Sequence, residues 1–172
     1  GIHPQDLCIN HRLTIENAKV GEHIRPASRL SFACIKHGPK PRLIQTKSQL
    51  DKIIEYVNNG LIDVGILVYY NDQVTMIRDY FVSKGIPVQW KTHDYMDIDF
   101  KSTSPCCGLH EFRNYVYWNI EPMTEKESAL YVATTRPLEN LYLLYTDNLA
   151  PRLPAPDSHI YAGNETDANG PF

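Results

Sequence analysis

The amino-acid sequence predicts an α/β domain, a three-layer sandwich with a mostly parallel sheet. The apolar run at residues 64–70 is continuous rather than alternating, which is typical of a parallel strand covered on both faces. The helix that follows turns Val74, Ile77 and Phe81 to one face, and residues 86–90 form the next strand. Strand, helix and strand within about thirty residues make a βαβ unit with a right-handed crossover.

Turn and capping residues place the other elements of the N-terminal half. Pro26 ends the first helix, because proline disfavours helical backbone in the residue before it. Thr46 and Gln49 match a capping box, and the helix that it opens ends at Asn59 and Gly60. The elements predicted here are a strand at 7–10, a helix at 13–24, a turn at 39–41, a strand at 42–45 and a helix that carries Leu50, Ile53, Ile54 and Val57 on one face.

The C-terminal half has weaker periodicity. Residues 91–112 follow neither a helical nor a strand period, so they are predicted to leave the regular structure. A second capping box, Thr124 and Glu127, precedes a segment with helical spacing. The elements predicted for this half are a strand at 114–120, a helix from the capping box to about residue 135 and a strand at 140–146.

The composition changes after Asp147, where prolines and polar residues dominate. Such segments bury little apolar surface, so the sequence predicts an extended tail over residues 150–172, on the surface or partly disordered. Residues 1–149 are then one domain. A chain of 172 residues is too short for two ordinary domains.

Charge and cysteine usage exclude several classes of protein. With 17 Lys and Arg against 20 Asp and Glu, the formal charge is −3, which excludes binding of nucleic acid by bulk attraction but not through a local basic groove. The four cysteines include no Cys-x-x-Cys pair, so no metal site is expected, and Cys8 and Cys34 are predicted to be reduced thiols in or near the core. The longest apolar run, residues 65–70, is too short to span a membrane, and the N-terminus does not resemble a signal peptide. A cytoplasmic protein without membrane contact is therefore expected.

Three segments of the chain match a known series of motifs. Residues 129–136 read Ala-Leu-Tyr-Val-Ala-Thr-Thr-Arg, and residues 139–143 read Glu-Asn-Leu-Tyr-Leu. They resemble the last motif of the UvrD/Rep-type superfamily 1 DNA helicases, Leu-x-Tyr-Val-Ala-x-Thr-Arg-Ala followed by a Leu-Tyr-Leu strand. Residues 7–14, Leu-Cys-Ile-Asn-His-Arg-Leu-Thr, are similar to the motif that opens the second RecA-like domain of that family, and residues 64–88 are similar to a later strand, helix and strand. The resemblance covers residues 6–149 and implies a RecA-like, P-loop NTPase-type helicase C-terminal domain.

The resemblance assigns roles to three residues. It implies that Arg12 and Arg136 reach the γ-phosphate of ATP bound across a cleft, and that His11, where the family has tyrosine, stacks on the adenine. Two arginines suit phosphoryl transfer, because a planar, always-charged guanidinium stabilises phosphate oxygens better than a lysine, and such an arginine can be worth about 10³ to 10⁵ in rate. The residues also have plainer explanations: a cation near a helix C-terminus for Arg136, a solvated surface side chain for Arg12 and a partly buried turn residue for His11.

Residues 102–112, Ser-Thr-Ser-Pro-Cys-Cys-Gly-Leu-His-Glu-Phe, stand where the family has its fifth motif, roughly Thr-x-His-Ser-x-Lys-Gly-Leu-Glu-Phe. The resemblance implies that Gly108 and Glu111 contact the nucleotide. It also implies contacts to single-stranded DNA from a run of three hydroxyl side chains, Ser102, Thr103 and Ser104. The chain departs from the family pattern at Pro105 in place of the serine, Cys107 in place of the lysine, the inserted His110 and Pro137 in place of a small helix former.

The chain lacks the phosphate-binding loop of an ATPase. None of the nine glycines is followed by lysine, and no apolar strand ends in the Asp-Glu pair that would hold magnesium. The resemblance therefore implies that ATP and its Mg²⁺ are held mainly by a first RecA-like motor domain upstream. The sequence predicts the C-terminal motor-domain fragment of an ATP-dependent DNA helicase with a place in DNA repair, inactive alone, whose partners are that upstream domain and single-stranded DNA.

Two other interpretations remain at this stage. The altered fifth motif fits a non-catalytic, helicase-derived module for interaction or DNA binding that has lost its coupling to ATP. An unrelated flavodoxin-like ligand domain would require the match at residues 129–136 to be chance. A phosphate loop upstream in the same reading frame would favour the helicase.

Overall fold

The computed structural model describes residues 10–62, 64–67, 71–86, 100–102, 114–117 and 127–167. Two short 3₁₀ helices, Pro26–Ser28 and Leu30–Ala33, follow the first helix. The other elements in chain order are β1 (Asn10–Thr14), α1 (Ile15–Ile24), β2 (Cys34–Lys36), β3 (Arg42–Gln45), α2 (Gln49–Asn58), β4 (Val64–Leu67), α3 (Asn71–Ser83), β5 (Phe100–Ser102), β6 (Asn114–Tyr117), α4 (Glu127–Thr134), β7 (Asn140–Tyr145) and β8 (Asn164–Thr166).

In the described part of the chain, six strands form one sheet in the order β5-β4-β6-β7-β3-β8. All neighbours are parallel except β5 and β4, which are antiparallel. The strands β4, β6 and β7 begin level with one another, because Val64 pairs with Asn114 and Asn114 with Asn140. We call this side of the sheet the amino edge. The predicted α/β fold with a mostly parallel sheet is confirmed.

Side chains of β7 alternate between the two faces of the sheet. Leu141, Leu143 and Tyr145 lie in a cluster with residues of α1 and α4. Tyr142 and Leu144 lie in a second cluster, with residues of α2 and α3. Helices therefore cover both faces, and β7 is apolar and buried from Leu141 to Tyr145.

A separate pair of parallel strands, β1 and β2, is joined through α1. The sequence predicts a strand at 7–10 and a helix from residue 13, but the strand extends to Thr14 and the helix begins at Ile15. The reason is the cap: Thr14 has extended backbone, and its hydroxyl accepts a hydrogen bond from the Asn17 N–H at 3.1 Å. The strand β2 begins at Cys34, a free and buried thiol as predicted, whereas Cys8 lies outside the described residues.

The predicted capping box at the start of α2 is wrong. The N-cap is Ser48, whose side chain makes no capping hydrogen bond, and the Thr46 hydroxyl accepts from the Ser48 N–H at 3.2 Å. The Gln49 amide instead donates to the Thr146 hydroxyl at 2.8 Å. The Gln49 side chain thus bonds Thr146, which follows β7, instead of taking part in a capping box. The helix ends at Asn58 with Asn59 as its C-cap, close to the predicted stop, and Gly60 has the positive φ of 102° that its position predicts.

Several other elements agree with the sequence where they can be compared. The strand β3 has the predicted bounds, and Val74, Ile77 and Phe81 are buried on the inner face of α3. The sequence does not predict β5, because the strand lies in the segment without periodicity. Among the described strands β5 pairs only with β4, at the edge of the sheet. The predicted strand at 86–90, except residue 86, the ends of the strands at 64–70 and 114–120, and the capping residue Thr124 lie outside the described residues.

The segment after residue 149 is packed against the domain, where the sequence predicts an extended tail on the surface. Ala150, Leu153 and Tyr161 are at most 3% exposed within the α1–α4 cluster, and the Tyr161 hydroxyl donates to the Pro154 carbonyl at 2.8 Å. The chain then adds β8 to the sheet beside β3. These apolar residues are too widely spaced for a periodic pattern, so the sequence does not reveal them. The division of the chain at residue 149 stays a prediction.

We expect Leu153→Ala to lower the free energy of unfolding by about 2–4 kcal/mol, because it leaves a cavity in a closed cluster. The exposed control His159→Ala should change it by no more than about 0.5 kcal/mol. Urea denaturation followed by circular dichroism measures both. Equal effects of the two substitutions would show that this segment does not stabilise the domain.

Candidate functional site

Arg136 lies just beyond the end of α4. The helix ends at Thr134, and the Arg136 N–H reaches back to the Ala133 carbonyl at 3.4 Å. The hydroxyls of Thr134 and Thr135 donate to backbone carbonyls in the preceding turn. Pro137 is buried, and it disfavours helical backbone at Arg136. The helix predicted to continue through about residue 135 therefore stops one residue earlier, and Arg136 is the second residue after it.

The guanidinium of Arg136 is incompletely bonded. Its Nε is buried and has no hydrogen-bond partner among the described residues, while the residue as a whole is half-buried. A buried N–H without a partner costs free energy, so such a group is expected to meet a water, an ion or a ligand. Because the group is a charged donor, an anion is the ligand that it fits best.

Arg12 lies in the middle of β1 and is exposed. The register of the small sheet places it between Asn10, whose partner is Cys34, and Thr14, whose partner is Lys36. Two residues after Arg12 the strand turns into α1. Arg12 therefore lies on the strand that leads directly into α1.

Helix α1, which follows the strand that carries Arg12, packs closely on α4, which precedes Arg136. A Cβ atom added to Gly21 would lie 2.8 Å from Thr135 Cγ2, so any larger residue at this position would require a neighbouring side chain to shift. At the other end of the contact Arg25 pairs with Glu127 and lies 4.5 Å from the centre of the Tyr131 ring.

The loop between α4 and β7 is also fixed to the β1–α1–β2 unit. The side-chain amide of Asn17 donates to the Glu139 carbonyl at 3.0 Å. The Lys36 ammonium donates to the Leu138 carbonyl at 3.1 Å. This loop enters β7 at Asn140, so it lies at the amino edge of the sheet.

The ends of the predicted fifth motif lie at the same edge. Ser102 is the last residue of β5 and pairs with Gly65, which in turn pairs with Tyr115 of β6. Asn114, where β6 begins, is level with Asn140. The described residues on either side of 103–113 thus stand at the amino edge, where Asn114 pairs with the first residue of β7 and Ser102 lies three strands away.

The remaining predicted site residues cannot be compared with the structure. His11 belongs to β1, and its side chain is outside the description, as is that of Ser102. Thr103, Ser104, Gly108 and Glu111 lie outside the described residues altogether. Their roles stay predictions.

Glu16, which the sequence analysis missed, anchors the turn after β2 to the first turn of α1. Its carboxylate accepts from the Gly38 N–H at 2.8 Å and contacts His37 Nδ1 at 2.9 Å. Gly38 is needed there, because an added Cβ would lie 2.7 Å from Thr14 Cγ2. Burial raises the pKa of Glu16, but the bonds from His37 and Gly38 lower it by more, so that the pKa lies below its usual value.

We expect Glu16→Gln to lower the free energy of unfolding by about 0.5–1 kcal/mol near neutral pH. A carboxyl with a lowered folded-state pKa stabilises the fold above its unfolded value of 4.5, and that contribution is lost as the pH falls through the folded value. Urea denaturation of both proteins between pH 3 and 7 measures the difference, which should shrink in acid. A difference that stays constant down to pH 3 would contradict this account of the ionised carboxylate.

No group of three or more His, Cys, Asp and Glu side chains in the described ranges is arranged to hold a metal ion. Within the same ranges, no helix has both the length and the hydropathy needed to cross a membrane.

Comparison with known proteins gives a similarity to solved structures but not to family models or curated proteins. No family model matches the chain, and no curated protein matches it. A solved structure, the C-terminal domain of a possible DNA helicase from Lactobacillus plantarum WCFS1, is similar with a TM-score of 0.61 and 12% sequence identity. The match covers 91% of this chain and 98% of that one. At this identity the likeness shows the fold alone: the chain has an α/β fold similar to that of a helicase C-terminal domain.

Proposed function

We propose that this chain is the second RecA-like motor domain of an ATP-dependent DNA helicase of the UvrD/Rep type. The observation that carries the proposal is Arg136, which ends the segment similar to the family's last motif and has a buried, unpartnered Nε. The fold similarity to a helicase C-terminal domain supports it independently. Helices on both faces of the sheet suit the three-layer RecA-like arrangement.

In this proposal the two arginines act on the γ-phosphate of ATP. Arg136 and Arg12 place fixed positive charge against oxygens whose negative charge redistributes during phosphoryl transfer. A half-buried guanidinium acts more strongly than an exposed one, because less water screens it. His11 stacks on the adenine, and Gly108 and Glu111 complete the contacts to the nucleotide from this domain.

The ATP phosphates and Mg²⁺ are held mainly by an upstream first RecA-like domain, because the sequence has no phosphate loop. Single-stranded DNA contacts Ser102, Thr103 and Ser104 in this proposal. Support for a shared site comes from the sheet register, which puts Ser102 and Asn114 at the same edge as the loop after α4.

A second candidate is a helicase-derived module for interaction or DNA binding that no longer couples to ATP. The observation that favours it is the fifth motif, where Pro105, Cys107 and His110 depart from the family pattern. Both candidates offer a phosphate to the Arg136 Nε, which has no partner among the described residues, but only the first gives this arginine the role that the last motif implies.

Arg136→Ala should lower the DNA-stimulated ATP turnover of the full-length protein at least tenfold, because it removes positive charge from the transition state. The thermal midpoint should change little. The matched control is Arg78→Ala, which removes an arginine of α3 on the opposite face of the sheet and should keep parental turnover. Turnover of Arg136→Ala equal to that of the parent would remove Arg136 from the mechanism.

The 172-residue chain alone should show no measurable ATP hydrolysis and should bind single-stranded DNA weakly. Its formal charge is −3, so binding depends on a few local contacts and should fall steeply as salt rises. Fluorescence anisotropy with a labelled oligonucleotide at several salt concentrations measures this. Tight binding by the lone chain that survives high salt would favour the non-catalytic module.

A further inference from the structure

Two consecutive backbone carbonyls of the loop after α4 are each held by a side chain from a distant part of the sequence. Asn17, in the first turn of α1, donates to Glu139 across 122 residues. Lys36, at the end of β2, donates to Leu138 across 102 residues. We call these two bonds the clamp. Both begin in the β1–α1–β2 unit that carries Arg12, and both end within three residues of Arg136.

Asn17 is poorly explained as a stabilising residue. Its side chain is fully buried, yet its Oδ1 has no hydrogen-bond partner among the described residues. An unpaired buried acceptor offsets much of what the bond from Nδ2 contributes to stability. The amide therefore fixes the position of the loop while adding little net stability.

Lys36 acts on the loop from the other side. Its side chain is exposed except where the ammonium meets the Leu138 carbonyl, so it can be changed without disturbing the core. Thr14, whose Cα is paired with that of Lys36, caps the same turn of α1 in which Asn17 lies. The two donors thus stand on one rigid unit, and the loop has little freedom to move relative to it.

We propose that Asn17 and Lys36 are positioning residues that hold Arg136 in register with Arg12. The inference rests on the proposed function, since it assigns a purpose to the relative placement of the two arginines. Catalytic groups must be placed accurately, because a displacement of about 1 Å can cost about 10²-fold in rate. The two hydrogen bonds of the clamp connect the loop that carries Arg136 to the β1–α1–β2 unit that carries Arg12, although the two parts are far apart in sequence.

The test uses the full-length protein with three single variants and one double. Asn17→Ala and Lys36→Met each remove one donor, Arg136→Ala removes the positioned group, and Asn17→Ala/Arg136→Ala combines two changes. Gln49→Ala is the matched control, because Gln49 is also a buried amide that donates to a distant segment, the Thr146 hydroxyl, away from the amino edge. The measurements are kcat and KM for ATP, and the thermal midpoint.

Asn17→Ala should lower kcat about tenfold and Lys36→Met about threefold, with thermal midpoints within a few degrees of the parent. Gln49→Ala should leave kcat within about twofold at a similar loss of thermal stability. The double variant should be no slower than Arg136→Ala, because a clamp has nothing to position once the guanidinium is gone. A further fall in the double variant, or parental kcat in both clamp variants, would overturn the inference.

Hydrogen exchange separates failure of the inference from failure of the proposed function. In the same protein, Asn17→Ala should speed exchange of the amides of Arg136, Leu138 and Glu139 but not those of β3. If Arg136→Ala keeps full turnover, the proposed function fails, whereas unchanged exchange in the Asn17 variant would overturn the clamp itself. If the Asn17→Ala protein does not fold, turnover and hydrogen exchange are measured on Lys36→Met instead, because this substitution is at an exposed residue.

Discussion

The close approach of α1 and α4 at Gly21 is the constraint on which the candidate site depends. No side chain larger than hydrogen fits between the backbone of α1 and Thr135 without a shift. That contact sets the distance at which Asn17 can reach the Glu139 carbonyl. It also allows Arg25 to meet both Glu127 and the Tyr131 ring farther along the same pair of helices.

The sheet adds a second kind of order, because it aligns segments that are far apart in sequence. Three parallel strands begin level at the amino edge, and the antiparallel β5 ends there. Each connection that enters or leaves at this edge can therefore contribute to a common surface. The loop that carries Arg136 and the described residues on either side of 103–113 meet this requirement, whereas the strand that carries Arg12 belongs to the separate two-stranded sheet.

The parts of the fold and of the candidate site that could be predicted from the sequence are those set by short local patterns. The strand β3, the inner face of α3 and the stop at Gly60 follow from short patterns, and the structure agrees with them. The capping box at Thr46 fails because Thr146, 97 residues from Gln49, takes the amide. Leu153 could not be found, since its partners come from other elements and its neighbours show no period. At the site, the motif predicts the importance of Arg136, and Pro137 indicates where the helix ends. The bond from Asn17 to the Glu139 carbonyl could not be predicted, because the two residues are 122 positions apart and no local pattern marks Asn17.

The placement of β3 between β7 and β8 has a consequence for biosynthesis. Both partners of β3 leave the ribosome roughly a hundred residues after it, so β3 emerges with two open edges and stays unpaired during most of translation. The nascent chain can form α2 and α3 early, but the sheet cannot close around its buried strand until the C-terminal segment arrives. A chain released before residue 166 would leave one edge of β3 without its strand partner.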